Sequence, residues 1–514
     1  MRRLRAVAPD AFGDVWTRRA RTRTLTGLAL CAGVFMSLAL SPGALASGQR
    51  PLRVWVPVNT SEPGAPVPTE FLGLSFEAGA LSQIASYADR GDFVGLLRSV
   101  GPGLLRFGGV TADEQVAFSD PTLKRPAWAA STIDAADFQN LAVLASRSGW
   151  HVMLTLGMAH FEPEAAAQEA AAAKAALGPS LAGIELGNEP NSYGHHGFRP
   201  EPWTFLQYEM EVDAYTSAIA AAAPGIPLAG PDTSGSAAFE TWGAGEALNL
   251  KPALLTGHHY PLGCAGQLPP TIEQLLSPKI RRSALVSLEK YMTISRASGI
   301  PFRLDETNTV SCGGLAGISN TYASSLWAVG YLVQAMDAGV AGINLQSNPT
   351  NCGGYTPVCA ATAERASTGA LGVQPEWYAL LMARYLIGDR PVAVRVYTRG
   401  HPNLQVAALL APDGGLHVVI LDYEPPGTPS LRISLHVGDA FRDGTVLSLR
   451  GPALAAVDGL TLDGLPVAPE GAWQPPAKIP HRQNVDGVIT TTVPGASASL
   501  LSIAPAHRIA VPGA

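Results

Sequence analysis

Two glutamates stand at the ends of short apolar runs, far apart in the sequence. Glu189 follows the run Ile184-Glu185-Leu186-Gly187-Asn188, and Glu306 follows Phe302-Arg303-Leu304-Asp305. An apolar run of this length, bounded by turn residues, predicts a buried strand whose last polar residues lie at its carboxyl end. Two carboxyls in one site suit hydrolysis of a glycosidic bond. One carboxyl donates a proton to the leaving oxygen, and the other meets the positive charge that develops at the anomeric carbon.

The segments that must position these carboxyls alternate between strand-like and helical patterns. Helical spacing occurs at 136–147, 164–177, 203–223, 283–297 and 319–338. Apolar runs predict eight strands, at 71–76, 104–107, 152–156, 184–187, 228–230, 254–258, 302–305 and 341–345. Alternating strands and helices imply parallel pairing, and eight such units close into a (β/α)8 TIM barrel, expected over residues 68–387. Glu189 then follows the fourth strand and Glu306 ends the seventh, so both face the mouth where barrel enzymes keep their chemistry.

The helical period disappears beyond residue 388. Strands are predicted there at 392–397, 404–410, 416–423, 431–437, 446–449 and 497–503, separated by Gly, Pro and Asp turns. This pattern is typical of an antiparallel β-sandwich, which we expect over residues 388–514. An alternating strand at 52–58, in the segment 47–67 ahead of the barrel, is a candidate to join the sandwich. A chain of 514 residues is long enough for both domains.

Residues 1–46 have the layout of a secretory signal peptide. Seven arginines precede an apolar run at 25–40, and the small-residue pattern Ala44-Leu45-Ala46 follows. The apolar run is short for a spanning helix and is followed by Ser41-Pro42-Gly43, which favours cleavage over the alternative of an uncleaved membrane anchor. We therefore expect a secreted protein, extracellular or periplasmic, with no stable membrane insertion after signal cleavage.

The charge balance argues against a polyanion as partner. Without residues 1–46 the chain has 28 Lys and Arg against 39 Asp and Glu, a formal charge of −11. An acidic surface repels nucleic acid, so no nucleic-acid partner is expected. Any anionic substrate must be held by local donors.

Four cysteines remain outside the predicted signal segment: Cys264, Cys312, Cys352 and Cys359. They allow three disulfide pairings, among which the close spacing of Cys352 and Cys359 across a Gly-Gly turn is the most natural pair. A zinc site is a weak alternative because no CxxC spacing is present. No metal or cofactor is expected, since side chains alone supply the acid, the base and the nucleophile.

Five short segments carry a resemblance to a known family. They are Leu105-Arg106-Phe107-Gly108-Gly109, Leu186-Gly187-Asn188-Glu189-Pro190-Asn191-Ser192, His258-His259-Tyr260, Asp305-Glu306-Thr307-Asn308 and Gln374-Pro375-Glu376-Trp377-Tyr378. Together they resemble glycoside hydrolase family 79, which contains β-glucuronidases and heparanases. The order of the motifs is more specific than any one of them, and the likeness covers most of the chain after residue 71. The resemblance implies a retaining mechanism on a (β/α)8 barrel with an appended β-sandwich.

The resemblance also implies roles for single residues. Glu189 matches the general acid/base and Glu306 the nucleophile. Asn188 matches the residue that binds the sugar 2-hydroxyl, with an amide of the barrel rim as the alternative. Tyr260 matches a tyrosine that hydrogen-bonds the nucleophile, with a core tyrosine as the alternative. Glu77 matches an acid that takes the far hydroxyls of the sugar, although relatives often have aspartate there.

Two neighbouring positions carry open alternatives. Arg106 either supports the nucleophile or ties barrel loops together. Of His258 and His259, one is expected to line the pocket and the other to pack, and no proton role is assigned to either.

The donors for a sugar carboxylate are expected from two loops. In the family a Gly-rich loop after the nucleophile supplies them together with a tyrosine after the eighth strand, here Cys312, Gly313, Gly314 and Tyr355. Backbone N–H groups of such a loop can hold an anion without a cationic side chain. Some relatives have tyrosine where Ser311 stands, and a disulfide-braced turn is the alternative interpretation of the loop.

These observations predict a secreted retaining β-glucuronidase acting on glycans or glycosides that end in glucuronate. The acidic surface favours an exo-acting enzyme over one that cleaves long sulfated chains. A retaining β-glucosidase or β-xylosidase on the same barrel is the nearest alternative, because of Ser311. A non-catalytic carbohydrate-binding cell-surface protein is the alternative of another class.

Overall fold

The computed structural model describes residues 51–266 and 268–507. The strands before residue 388 are β1 (Leu52–Asn59), β2 (Leu72–Glu77), β3 (Leu104–Gly108), β4 (Val116–Phe118), β5 (Ser131–Ile133), β6 (His151–Leu156), β7 (Leu181–Leu186), β8 (Leu228–Thr233), β9 (Leu254–His259), β10 (Phe302–Thr307), β11 (Gly342–Ser347), β12 (Val358–Cys359) and β13 (Gly372–Val373). The later strands are β14 (Arg390–Val394), β15 (Tyr397–Thr398), β16 (Leu404–Leu410), β17 (Leu416–Asp422), β18 (Leu431–His436), β19 (Phe441–Arg450), β20 (Thr461–Leu462), β21 (His481–Arg482), β22 (Asn484–Val485), β23 (Val488–Val493) and β24 (Ser497–Pro505).

The α-helices connect and cover these strands. They are α1 (Leu81–Ala85), α2 (Phe93–Val100), α3 (Val110–Glu114), α4 (Ala135–Ser148), α5 (Pro163–Leu177), α6 (Tyr193–His196), α7 (Phe205–Ala222), α8 (Ser236–Gly245), α9 (Ile272–Leu275), α10 (Pro278–Ser298), α11 (Tyr322–Ala338), α12 (Ala363–Thr368) and α13 (Pro375–Ala383). Short 3-10 turns lie at Ala78–Ala80, Ser86–Ala88, Gly178–Ser180, Pro190–Ser192 and Arg384–Leu386, and a π-helical turn lies at Glu246–Leu250.

Eight parallel strands close into a barrel in the order β10-β11-β2-β3-β6-β7-β8-β9. These are the eight predicted strands, with bounds that differ from the predicted ones by at most three residues, and the (β/α)8 fold class is confirmed. The carboxyl ends of all eight strands meet at one mouth, as parallel pairing requires.

Alternation along the barrel strands separates two environments. On β3, Leu105 and Phe107 join the apolar cluster beneath the helices, whereas Leu104 and Arg106 point into the barrel. The lower layer of the interior is apolar and contains Leu104, Met153 and Ala229. The layer nearer the mouth is polar and buried, with Ser75, Arg106, Thr155, Glu185 and Asp305. This polar layer supports the candidate site from below.

The second domain is a sheet of twelve strands that curls over its own core, in the order β20-β19-β24-β17-β16-β14-β1-β18-β23-β22 with β15 and β21 beside it. On β17, Val418 and Ile420 face the core of this domain, whereas Val419 and Leu421 join the core of the barrel. A strand buried on both faces needs a continuous apolar run, which residues 418–421 of β17 supply.

The early strand β1 lies in this second domain. It pairs antiparallel with β14 and β15, and parallel with β18. The parallel pair departs from the wholly antiparallel sandwich that the sequence predicted. Parallel pairing is possible because β1 precedes the barrel in the sequence and β18 follows it, so no hairpin joins the two strands.

The structure forms two disulfides. Cys352 bonds to Cys359, as predicted from their spacing, and Cys264 bonds to Cys312. The predicted signal segment 1–46 lies outside the described residues. Within the described part of the chain, no helix combines the length and the apolar character needed to cross a membrane.

Candidate active site

Glu306 lies near the end of β10, with its side chain 10% exposed. Its Oε2 accepts a hydrogen bond from Nη1 of Arg106 at 2.7 Å, and its Oε1 accepts one from the hydroxyl of Tyr260 at 2.9 Å. Burial by itself raises the pKa of Glu306, but the positive charges of His258 and Arg106 and the two hydrogen bonds outweigh it, so the pKa lies below its ordinary value. The site therefore holds Glu306 as a carboxylate at neutral pH.

A shift of register aims Glu306 at the mouth. Neighbouring residues of a regular strand point to opposite faces, yet both Asp305 and Glu306 approach Arg106. The pairing of β10 with β9 shifts between Leu304 and Glu306, where Leu304 lies opposite Gly257 and Glu306 opposite His258. Such an irregularity turns the strand locally and re-aims a side chain next to a site.

Arg106 is fully buried and joins four carboxyl groups from the three strands β7, β8 and β10. Its Nε lies 3.0 Å from Glu185 and 3.2 Å from Asp305, its Nη2 lies 2.7 Å from Asp232, and its Nη1 bonds Glu306. A buried guanidinium is stable only with such compensation. Arg106 therefore contacts Glu306 and also ties the strands together beneath it, and its support of a nucleophile stays a prediction.

Glu189 lies just after β7, with its side chain 27% exposed. Its Oε1 is 2.9 Å from Nδ1 of His258, and its backbone N–H donates to the carbonyl of Asp232. The φ angle of Glu189 is +49°, a left-handed backbone conformation that residues other than glycine rarely adopt. Backbone strain of this kind clusters at functional sites, where the surrounding structure holds one side chain in one place.

His258 is buried among carboxylates. Its Nε2 lies 2.6 Å from Asp232 and 3.6 Å from Asp305, and its Nδ1 lies 3.9 Å from Glu306. Burial by itself lowers the pKa of His258, but the charges of Asp232, Glu306 and Asp305 raise the pKa well above its ordinary value. The ring is therefore an imidazolium, with both nitrogens as donors.

The trio Asp232, His258 and Asp305 offers ligand atoms within 4.8 Å of one another, the spacing of a metal site. Arg106 already contacts both carboxylates, and His258 is protonated. The guanidinium supplies the positive charge that the carboxylates need. The trio is therefore an ion-pair cluster.

Asn188 is almost fully buried beside Glu189. Its Oδ1 accepts from Nη2 of Arg106 at 3.1 Å. Because a guanidinium only donates, the amide oxygen must face it and the Nδ2 group must face away. No acceptor among the described residues bonds this Nδ2. The backbone N–H of Asn188 donates to Asp113, which also accepts from the hydroxyl of Tyr193.

Glu77 ends β2 on the other side of the mouth. Its Oε2 accepts from the N–H and the hydroxyl of Thr111, and its Oε1 accepts from Gln346 at 3.3 Å. Burial raises the pKa of Glu77, and the negative charge of Glu306 adds to the rise. The φ angle of Gly109 is +69°, and a Cβ there would collide with the Glu77 carboxyl. The second glycine of the Arg106 motif therefore makes room for Glu77.

Tyr260 and Tyr355 lie side by side above Glu306. Their rings stack with centroids 6.0 Å apart, and their hydroxyls are 3.5 Å apart. The backbone N–H of Gly313 donates to the Tyr355 hydroxyl, and the N–H of Gly314 donates to the carbonyl of Ser311. Two of the N–H groups predicted for a sugar carboxylate are thus already bonded, that of Gly313 to Tyr355 and that of Gly314 within its own loop. The remaining donors are the Cys312 N–H, which has no acceptor among the described residues, and the Tyr355 hydroxyl proton.

The two histidines have different surroundings. Nδ1 of His259 lies 2.8 Å from the hydroxyl of Tyr331 on α11, and burial lowers the pKa of His259 to about 4. His259 is therefore neutral and packs against a helix, whereas His258 contacts the acids of the site. The sequence did not decide which histidine has which position.

Sequence reasoning missed three buried acids: Asp113, Asp232 and Glu185. Asp232 carried a usable signal, because it ends an apolar strand as Glu189 does, but the predicted strand stopped at residue 230. Glu185 lies inside its strand and Asp113 in the short helix α3, where neither has a distinguishing pattern. Their roles depend on contacts with Arg106 and Asn188 that only the folded chain makes.

Glu376 supports the strand end from behind. It is 1% exposed and accepts from Nδ2 of Asn308 at 3.1 Å, two residues past Glu306. Burial raises the pKa of Glu376 to about 8, although the hydrogen bond from Asn308 opposes the rise.

Glu376→Gln is expected to reduce the loss of stability at alkaline pH. The folded-state pKa of Glu376 is raised, so the stabilisation from its protonated form is complete below about pH 4.5 and is lost as the pH rises through about 8. The amide cannot ionise. Between about pH 6 and pH 9 the Tm of the variant should therefore fall about 5 °C less than that of the wild type. Thermal unfolding at both pH values checks this, with the exposed Glu364→Gln as control, and equal Tm losses in all three proteins would contradict it.

Fold and site together define a (β/α)8-barrel protein with two carboxyls at the mouth of the barrel. No family model matches the chain. A curated β-glucuronidase from Aspergillus niger is 30% identical over 184 residues, which cover 31% of this chain and 33% of that relative, so the chain matches about a third of the relative's length.

Several solved structures share the fold. A 4-O-α-L-rhamnosyl-β-D-glucuronidase from Fusarium oxysporum aligns with a TM-score of 0.68 at 19% identity, covering 88% of this chain and 100% of that one. A GH51 arabinofuranosidase from Xanthomonas axonopodis aligns with a TM-score of 0.62 at 14% identity and the same coverage. A GH39 enzyme from the same organism aligns with a TM-score of 0.57 at 18% identity, covering 91% and 100%. At these identities the likeness establishes the fold alone.

Proposed function

We propose that this chain is a secreted retaining β-glycosidase that removes β-linked glucuronate from the end of a glycan or glycoside. The observation that carries the proposal is the pairing of two differently held carboxyls. Glu306 is fixed as a carboxylate by Arg106 and Tyr260, while the more exposed Glu189 lies across His258 from it. The known enzymes that share parts of the sequence or the fold, including two glucuronidases, support the same class of reaction.

The reaction would proceed in two displacements. The Glu306 carboxylate attacks the anomeric carbon, the bond from that carbon to the leaving oxygen breaks, and Glu189 donates its proton to that oxygen. Glu189 then removes a proton from water, the water oxygen attacks the same carbon, and Glu306 is released. The imidazolium of His258, 2.9 Å from Glu189, stabilises the carboxylate that exists between the two steps.

The spacing of the two carboxyls supports retention. Nδ1 of His258 lies 2.9 Å from Oε1 of Glu189 and 3.9 Å from Oε1 of Glu306. These two oxygens are therefore no more than about 7 Å apart, which is compatible with the roughly 5 to 5.5 Å of retaining enzymes and below most of the roughly 6.5 to 9.5 Å range of inverting ones.

The other predicted residues would hold the sugar. The free Nδ2 of Asn188 is a donor for the 2-hydroxyl, a contact that strengthens in the transition state. Glu77, anchored by Thr111, is an acceptor for hydroxyls at the far side of the ring. The Cys312 N–H and the Tyr355 hydroxyl are the donors for the glucuronate carboxylate, and the Cys264–Cys312 disulfide fixes their loop.

One observation favours a second candidate, a retaining β-glucosidase or β-xylosidase. The N–H group of Gly313 donates to the Tyr355 hydroxyl and that of Gly314 to the carbonyl of Ser311, so fewer donors face the sugar than the resemblance implies. A neutral sugar needs no such donors.

An assay on three substrates separates the candidates. Aryl β-glucuronide, β-glucoside and β-xyloside are given to the wild type, and the first-formed product is followed by NMR. Turnover of the glucuronide with a β-configured product is expected. Turnover of the neutral sugars alone would show that the substrate is a neutral glycoside and not a glucuronide. An α-configured product would contradict retention.

Secretion is part of the proposal because of the cysteines. Both disulfides form between residues that would stay reduced in a cytosol. The predicted signal segment 1–46 agrees with this location. Amino-terminal sequencing of protein recovered outside the producing cells tests it, and recovery of the intact chain with the cells would contradict it.

Tyr260→Phe is expected to shift the acidic limb of the pH profile of kcat/KM to higher pH. The hydroxyl of Tyr260 helps to lower the pKa of Glu306, so its loss raises that pKa and protonates the nucleophile at a higher pH. At neutral pH kcat/KM should fall about 10-fold. Profiles on the aryl β-glucuronide are compared with those of Tyr397→Phe, a tyrosine of the second domain. An unmoved acidic limb would contradict the role of Tyr260.

A further inference from the structure

The outer face of the second domain carries an exposed aromatic cluster. Trp55 of β1 is 44% exposed and Tyr397 of β15 is 47% exposed. The ring of Trp55 lies 4.8 Å from that of Tyr397 and 5.0 Å from that of His436 on β18, measured between centroids. Exposed apolar groups of this size, gathered in one patch, mark a binding surface more often than isolated ones do.

Strand pairing places two arginines beside this cluster. Residues that pair directly share a face of the sheet, so Arg53 and Arg432 lie side by side, one row from Trp55. Along a strand the next residue on the same face is about 7 Å away. A ligand ring stacked on Trp55 would therefore lie within reach of both guanidinium groups.

The part of the chain that the structure describes offers neither arginine side chain a partner. Among the described residues, neither side chain forms an ion pair or hydrogen bond, and both are exposed. Like charges directly opposite each other weaken a sheet, so the pair does not serve the fold.

The pattern of charge on this face differs from the rest of the chain. The outward positions of β1, β18 and β23 carry no acidic residue; they are Arg53, Trp55, Pro57, Asn59, Arg432, Ser434, His436, Val488, Thr490 and Thr492. Without residues 1–46 the chain as a whole has a formal charge of −11. A face free of acids, with two unpaired cations, is complementary to an anionic ligand.

We propose that this face, defined by Trp55, Tyr397, His436, Arg53 and Arg432, binds an acidic polysaccharide, with a sugar ring on Trp55 and a uronate carboxylate on the arginine pair. An aromatic ring supplies a flat apolar surface for the C–H face of a pyranose, and a guanidinium matches a carboxylate in geometry. The face lies on the second domain and uses none of the residues proposed for catalysis. The inference therefore stands whether or not the proposed reaction is correct.

A glycan fits this face better than a nucleic acid does. Nucleic acids carry a charge on every nucleotide and are held by many cations, whereas this face offers two arginines on an acidic protein. A uronate chain has a lower charge density and a sugar ring for every aromatic contact. Single-stranded DNA is therefore the competing ligand that the experiment includes.

The test is native gel electrophoresis of the protein through polygalacturonate, hydroxyethylcellulose or no polymer. Polygalacturonate is expected to retard the wild type, and Trp55→Ala and the double variant Arg53→Ala/Arg432→Ala are each expected to weaken the binding about 10-fold. Retardation should fall with added salt because the arginine contacts are exposed.

Matched variants separate the face from general effects. Trp55→Phe, which keeps an aromatic ring, and Arg282→Ala, which removes an exposed charge from the barrel, should both behave as the wild type. Unfolding curves and hydrolysis of a small aryl substrate should be unchanged in the Trp55 and arginine variants. Equal retardation of all variants, equal retardation by hydroxyethylcellulose, or tighter binding of a DNA oligonucleotide in a mobility-shift assay would each overturn the proposal.

Discussion

Replacing Glu306 with alanine is expected to lower kcat/KM for an aryl β-glucuronide by about 100,000-fold. The carboxylate would form the covalent intermediate, and its oxygens accept hydrogen bonds from Arg106 and Tyr260. A guanidinium is not a nucleophile, and burial raises the pKa of Tyr260 well above its ordinary value, so its hydroxyl stays protonated. The loss should exceed that from any other single substitution, because no water in the site has the pre-organised position of a covalently attached carboxylate.

Azide provides a direct test of the role of Glu306. The small anion should enter the space that alanine leaves and attack the anomeric carbon, with Glu189 still protonating the leaving oxygen. The product would be an α-glycosyl azide, inverted relative to the substrate, and NMR identifies it. Glu201→Ala, an exposed glutamate of the loop after Glu189, is the control and should keep wild-type activity. More than about a tenth of wild-type activity in Glu306→Ala without azide would rule out this nucleophile.

Replacing Glu189 with alanine is expected to have an effect that depends on the leaving group. For a glycoside with a poorly acidic leaving alcohol, kcat/KM should fall by about 1,000- to 10,000-fold, the usual contribution of a general acid. For a 2,4-dinitrophenyl glycoside, whose leaving group needs no proton, the first step should be nearly as fast as in the wild type. The intermediate then accumulates because no base activates water.

Azide should also restore the activity of Glu189→Ala, but the glycosyl azide formed should have the opposite anomeric configuration. It attacks the intermediate on Glu306 and yields a β-glycosyl azide, so the two variants produce different anomers from one substrate. Pre-steady-state kinetics should show a burst of dinitrophenolate in Glu189→Ala. Equal losses on both leaving groups would show that Glu189 is not the acid, and an α-azide would reverse the two assignments.

Part of the candidate site was predictable from local sequence. Glu189 and Glu306 each end an apolar run, and eight runs alternate with helical segments, so barrel topology alone brings the two ends to one mouth. The family resemblance added Asn188, Tyr260, Glu77 and the loop residues, all of which the structure places around that mouth.

Other features followed from contacts between distant segments. Arg106 was predicted with two alternative roles, and the structure shows that it contacts Glu306 and also links strands, because β7, β8 and β10 bring four carboxyl groups to one guanidinium. Asp232 was not predicted at all, although it contacts both Arg106 and His258. A pattern within one strand carries no information about the charges that neighbouring strands contribute.

The sequence by itself determined the number and type of the elements, because apolar periodicity depends only on the faces that each strand and helix must bury. It also placed a carboxyl at the end of two of those strands. The tertiary structure decided the direction of Glu306, through a shift of register against β9, and the charge states of Glu306 and His258, through their buried neighbours. It also decided which loop donors remain for a substrate. These properties depend on packing and on electrostatics at distances of a few ångströms between residues far apart in the chain, and no local pattern specifies them.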